Sequence, residues 1–149
     1  GDKQAYTASQ AILQGLAKAI VKYQDPSSGT WYQVTDQGAR EGNYLESSAT
    51  ALFIYTLAKA INKGYIGNEY IEPTQKAFDG MVKTFTRLEE DGSYTITNCC
   101  AVAGLGGDSK RYRDGSFEYY ISEPIIENDP KSIGSFILAA IEYEKMTKK

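Results

Sequence analysis

The chain contains no histidine, and only 2 cysteines, 4 prolines and 1 tryptophan in 149 residues. Without an imidazole there is no Ser-His-Asp or Cys-His catalysis, no HExxH zinc site and no imidazole general base. The two cysteines are neighbours, Cys99 and Cys100. Their Cα atoms lie about 3.8 Å apart, so a disulfide between them would be strained. Two thiols with no imidazole also make a poor zinc site, and no metal or other cofactor is expected. The pair reads as two small buried residues in a tight segment. No apolar run approaches the roughly 20 residues needed to cross a bilayer, so no membrane partner is expected. The pI near 5.0 and net charge of -3 lack the basic character of a nucleic-acid surface. The first residue is Gly1 rather than Met, so an earlier leader peptide and the compartment stay open.

What is present fits one globular domain of ordinary size. Hydrophobic residues make up 42% and charged residues 23%. That excludes a disordered chain, which would be poorer in apolar residues. The aromatic set is 12 Tyr against 5 Phe. Tyr has an apolar face and a hydroxyl, so it suits either a half-wet ligand cleft or the margin of a core.

Helical periodicity predicts four helices. The first runs from about Ala5 to Tyr23, with Ile12, Leu16, Ile20 and Tyr23 on one face. Thr7 and Gln10 have capping-box spacing, and Asp25-Pro26 ends the helix. The second runs from about Leu45 to Lys63, apolar nearly all round, with Gly64 as its C-terminal cap. The third starts between Asn68 and Pro73 and ends near Leu88, with Phe78, Met81, Val82 and Phe85 buried. The fourth starts with Asp129 as N-cap and Pro130 at the first helical position. Its stripe is Ile133, Phe136, Ile137, Ala140 and Ile141, and the tail Lys145 to Lys149 is solvated.

Two connectors, Asp25 to Asn43 and Glu89 to Asn128, are long enough to carry function or structure of their own. Thr30 to Val34 and Ser93 to Thr97 have strand composition, and Ser116 to Tyr120 is similar. Asp91-Gly92 and Asp114-Gly115 mark turns before two of these runs. Fold class is therefore all-α, built of helical hairpins with short β-hairpins in the connecting loops.

Alternation in a strand puts Trp31 and Gln33 on one side. An indole that stacks on a pyranose beside an amide that meets its hydroxyls makes a sugar-binding pair. Trp31 could equally plug the core. Without His, acid-base chemistry falls to carboxylates, as in glycosidases. Asp36, Glu41, Glu46, Glu118, Glu123, Glu127 and Asp129 are candidates, but spacing singles out no pair. Asp129 is already a cap, and Glu46 is favourable in a first helical turn whatever its function. Arg40 and the group Lys110 to Arg113 suit either an anionic ligand or a solvated loop. The run Gly104 to Gly107 lacks the spacing of a phosphate loop.

Several segments together carry a resemblance. They are Gly29-Thr30-Trp31-Tyr32-Gln33-Val34, Gly42-Asn43-Tyr44-Leu45-Glu46-Ser47-Ser48-Ala49 and Lys63-Gly64-Tyr65-Ile66. Further on come Ala103-Gly104-Leu105-Gly106-Gly107, Arg113-Asp114-Gly115-Ser116-Phe117-Glu118-Tyr119-Tyr120-Ile121-Ser122-Glu123-Pro124 and Asn128-Asp129-Pro130-Lys131. In this order they resemble the C-terminal part of glycoside hydrolase family 105, the unsaturated rhamnogalacturonyl hydrolases. The related family 88 holds the unsaturated glucuronyl hydrolases.

The resemblance implies an (α/α)6 barrel, of which residues 1–149 would be a single partial domain. It implies oligosaccharides ending in a 4,5-unsaturated uronic acid, such as pectin or glycosaminoglycan lyase products. The implied chemistry is hydration of the double bond by an Asp acid, without a metal. The family's acid lies upstream of an RGNGW-like segment that this chain lacks, so no catalytic residue is carried over. Trp31, Gln33, Asn43, Tyr44 and Glu46 match cleft-facing segments, which implies substrate contact. A homodimer or a complementing barrel portion would then cover the open sides. The bacterial cytoplasm and periplasm both fit. The alternatives are a free-standing carbohydrate-binding protein without catalysis and a helical assembly module.

Overall fold

The computed structural model describes residues 2–107 and 112–148. It is built from helix α1 (Lys3–Lys22), α2 (Ser47–Asn62), α3 (Ile71–Phe85), the short α4 (Phe117–Ser122) and α5 (Pro130–Thr147). Four short strands lie between the helices: β1 (Thr86–Leu88), β2 (Tyr94–Ile96), β3 (Cys99–Cys100) and β4 (Ile125–Ile126). β1 pairs with β2 and β3 with β4, both antiparallel. Among the described residues, no helix is long and apolar enough to cross a membrane.

α2 is the central helix and packs against both α5 and α3. Its small and branched residues Ala51, Ile54, Leu57 and Ala58 are fully buried, as its all-round apolar pattern predicts. Ile54 and Leu57 each contribute about 1.5–3 kcal/mol by leaving water. The helix ends at Asn62 with Lys63 as its C-cap, and Gly64 takes φ 69, the left-handed conformation that suits glycine after a helix. The start of α5 is also as the sequence indicates, with the Asp129 carboxylate accepting from the Lys131 N–H and Pro130 in the first turn.

Other boundaries differ from the sequence-based expectation. α1 starts earlier, because Asp2 caps it by accepting from the N–H groups of Gln4 and Ala5. Thr7 instead donates to the carbonyl of Lys3 inside the helix. Only part of its apolar face is covered: Ala17 and Ile20 are buried, whereas Ile12 is 73% exposed. α3 stops at Phe85, not Leu88, because Thr86–Leu88 leave the helix to pair with β2. The β1-β2 hairpin turns at Gly92, which has φ 84. Thr30 to Val34 forms no hairpin; Tyr32 makes a single antiparallel bridge to Leu45. Ser116 to Tyr120 is helix rather than strand, because the Ser116 hydroxyl caps α4 by accepting from the Tyr119 N–H at 3.1 Å. α5 continues through Lys145 to Thr147, and Lys149 lies outside the described residues.

Candidate functional site

The long connectors meet at one end of the helices, around the N-terminus of α2. The backbone there is laced in both directions. The Gln33 N–H donates to the Tyr44 carbonyl at 2.8 Å, and the Glu46 N–H donates to the Trp31 carbonyl at 2.9 Å. Asn43 closes the intervening loop. Its amide donates to the carbonyls of Val34 and Gln37, and its Oδ1 accepts from the Val34 and Tyr44 N–H groups. The structure thus brings together Trp31, Gln33, Asn43, Tyr44 and Glu46.

Their environments differ. Trp31 is 1% exposed, and its indole N–H donates to the Ile20 carbonyl at 2.7 Å. Its ring meets Phe53 edge-on, with centroids 5.3 Å apart. Of the two roles open to it in the sequence, this packing is that of a core plug, with no ring face turned to solvent. A cavity of about 240 Å³ beside it is walled by Leu16, Ile20, Tyr23, Trp31 and Phe53. That lining is nearly all hydrocarbon, which matches a sugar's hydroxyls poorly.

Glu46 is also buried, and it accepts three hydrogen bonds. They come from the Ser48 hydroxyl at 2.9 Å, the Ala49 N–H at 2.6 Å and the Cys100 N–H at 3.0 Å. It therefore caps α2 and ties the helix to β3. Cys100 joins the group from far along the chain, receiving the Gln33 amide at 3.2 Å on its sulfur. The sequence pattern had no signal for that contact. The Tyr44 hydroxyl is buried with no hydrogen-bond partner among the described residues. Burial, then the neighbouring Cys100 thiol and the Glu46 charge, push its pKa far up. Burial and the Glu46 charge also raise the Cys99 thiol. Both cysteines are free thiols.

Of the remaining acidic candidates, Glu118, Glu123, Glu127 and Asp129 have structural partners. Glu118 pairs with Arg40, Glu123 with Arg113 at 3.1 Å, and Glu127 with Arg87 at 2.8 Å. Asp129 caps α5 and holds Lys131. Lys110 and Arg111 lie outside the described residues. In the run Gly104 to Gly107, Gly106 is bridged to Arg113 and the Tyr119 hydroxyl donates to the Gly104 carbonyl at 2.6 Å. Among the described residues, no group of three or more His, Cys, Asp or Glu side chains converges on a point that could hold a metal.

The helical hairpins with a polar, loop-built end place the chain in a class of mainly helical folds with short antiparallel hairpins. The solved structure of a C. acetobutylicum ATCC 824 glycoside hydrolase from family 105 is similar at 44% identity and TM-score 0.88. That match covers 92% of this chain and 38% of that one. A glycosyl hydrolase of family 88 from Bacteroides vulgatus is similar at 26% identity and TM-score 0.66, covering 98% of this chain and 37% of that one. The 24.9 kDa protein in the picA locus of Rhizobium radiobacter is 36% identical over 119 residues, which is 77% of this chain and 51% of that protein. The family model of Glycosyl Hydrolase Family 88 matches residues 2–147. The chain belongs to glycosyl hydrolase family 88, and it spans about half the length of the curated relatives it matches.

Proposed function

We propose that the chain serves a glycoside hydrolase acting on oligosaccharides that end in a 4,5-unsaturated uronic acid, by hydration of the double bond. Its part is a wall of the substrate cleft, and the general acid is supplied by other residues of the family fold. The supporting observation is the 44% identity and TM-score of 0.88 with a family 105 glycoside hydrolase. Within the wall, Gln33 offers its amide to sugar hydroxyls, because the sulfur that accepts it is a weak partner, while the buried Tyr44 hydroxyl lies beside the same Cys100 thiol. Asn43 and Glu46 hold those side chains in place through the loop and the α2 cap. Trp31 anchors the same segment from beneath.

The test mixes the chain with an unsaturated uronyl disaccharide and follows both heat of binding and double-bond absorbance. Saturable binding without turnover is the expected outcome. Turnover near 1 per second, within the usual enzyme range of about 1–10³ per second, would overturn the assigned division of labour. Absence of binding at millimolar sugar would overturn the cleft-wall role and favour an assembly module.

A further inference from the structure

Three arginines of the loop end are held in different ways. Arg87 engages Nη1, Nη2 and Nε with the carboxylates of Glu127 and Glu89. Arg113 pairs through Nε with Glu123, whose side chain is 1% exposed. Arg40 is the one whose partner carboxylate is the most exposed. Its Nη1 donates to the Gln37 Oε1 at 2.9 Å and its Nη2 to one oxygen of Glu118. No other acceptor meets its fork among the described residues. Its side chain is 46% exposed and that of Glu118 is 69% exposed.

Arg40 is nonetheless well oriented. Its guanidinium lies 3.8 Å from the centroid of the Phe117 ring, which fixes the plane of the fork. Phe117 is itself buried in the base of α4. The backbone of Arg40 is tied to the cleft segment, because the Asn43 N–H donates to its carbonyl at 3.1 Å. Arg40 therefore stands at the rim of the segment that carries Gln33, Asn43 and Tyr44. An exposed, single-point ion pair contributes little, so a second carboxylate can displace it at small cost. A two-point carboxylate contact on the same fork is the stronger arrangement.

We infer that Arg40 is the carboxylate receptor of the cleft wall, and that a uronate carboxylate replaces Glu118 on its guanidinium. This rests on the cleft-wall reading above. Arg40 would then set the preference for acidic over neutral sugars, while Gln37 and the Phe117 ring hold the fork ready. Glu118 acts as a built-in competitor that keeps the fork ordered when no sugar is present.

The test measures binding of two ligands by calorimetry: an unsaturated uronyl disaccharide, and the same sugar with its carboxyl reduced to an alcohol. The wild-type chain should prefer the carboxylate form by about ten-fold, and the preference should shrink as salt is raised. Arg40→Gln should bind both forms alike, with an unchanged thermal midpoint. Arg40→Lys should keep only part of the preference, since an ammonium lacks the fork. Glu118→Gln should bind the carboxylate form more tightly, because the competitor has lost its charge. If Arg40→Gln keeps the wild-type preference, the assignment to Arg40 is wrong while the cleft-wall reading stands. If the wild-type chain binds both sugars equally, the carboxylate receptor is again refuted. If it binds neither, the cleft-wall reading fails and the receptor falls with it.

Discussion

At the scale of single residues, two buried polar contacts organise the loop end. Trp31 fills the space between α1 and α2, and its indole N–H satisfies the Ile20 carbonyl. Trp31→Ala removes the ring and one of the donors to that carbonyl, leaving it the Tyr23 N–H at 3.3 Å. It should lower unfolding free energy by about 3–5 kcal/mol in denaturant titration. Trp31→Phe keeps most of the volume and should cost clearly less. A small loss for the alanine variant, with sugar binding abolished, would return Trp31 to the stacking role. Glu46 is the second contact. Glu46→Ala leaves the Cys100 N–H buried and unpaired and removes the cap of α2. The expected cost is on the order of 2–3 kcal/mol, read from the same titration. The sequence placed Glu46 in a first helical turn, where a carboxylate is favourable. Its tie to Cys100 spans 54 residues, and no local pattern encodes such a pairing.

Among the elements, those with a local cause were the legible ones. α2 and α5 carry their own periodicity, their own caps and a stop glycine or a first-turn proline. α4 was misread because Phe117, Tyr119 and Tyr120 have strand composition. What decides it is the Ser116 cap and the anchoring of the Tyr119 hydroxyl on the Gly104 carbonyl, the latter a tertiary contact. β1 was missed because Thr86, Arg87 and Leu88 acquire strand geometry only by pairing with β2. Of the candidate site, the loop segments were legible from the family resemblance. The contribution of β3 was not, because it depends on how two distant connectors meet. Packing between elements also sets a sharp constraint at Gly80 of α3. A methyl there would lie 1.9 Å from the Ser28 carbonyl oxygen and 3.1 Å from the Thr30 side chain. The turn at Ser28 is held by Asp25, so it cannot easily retreat. Gly80→Ala should destabilise by about 1–3 kcal/mol, although alanine is the better helix former. A thermal midpoint equal to or above wild type would show that the turn yields.

For the whole molecule, charge and surface set two further expectations. Burial works to raise the Asp25 carboxyl, but hydrogen bonds from Ser28 and Ser27 prevail and hold it below its usual 3.8. The Arg87 pair and the Lys131 pair likewise lower Glu127 and Asp129. A carboxyl with a lowered folded pKa stabilises the fold above its unfolded value, and that stability is lost as pH falls through the folded pKa. Cys99 and Tyr44 act with the opposite sign, since their folded pKa values are raised. Their contribution is complete below the unfolded values of 9.0 and 10.0 and is lost as pH rises beyond them. No histidine titrates between these limits. Thermal midpoints should therefore be flat from about pH 6 to 8 and fall on both sides, and a step near pH 6.5 would contradict this. The surface points to association. On α5, Ile133, Ile137 and Ile141 recur every four residues and form one row, yet they are 37%, 55% and 45% exposed. On α1, Ile12 and Leu16 form a second row at 73% and 46% exposed. Leu52 of α2 adds a further 48% exposed side chain. Rows of this kind are unusual on a monomer, whose apolar patches rarely exceed a few hundred Å². In the similar family 105 structure this chain corresponds to 38% of the polypeptide, and we propose that further helices of such a fold cover these faces. We therefore expect the chain to pair with itself or to bind a companion portion of the barrel, the dimer being the simplest closed solution for one chain. Light scattering at micromolar concentration should show a species larger than the 16.4 kDa monomer. Ile137→Glu and Ile12→Glu should shift it toward monomer without lowering the thermal midpoint of the monomer itself. A clean monomer that binds no apolar dye would sink the expectation, because the exposed rows would then be stable in water unaided.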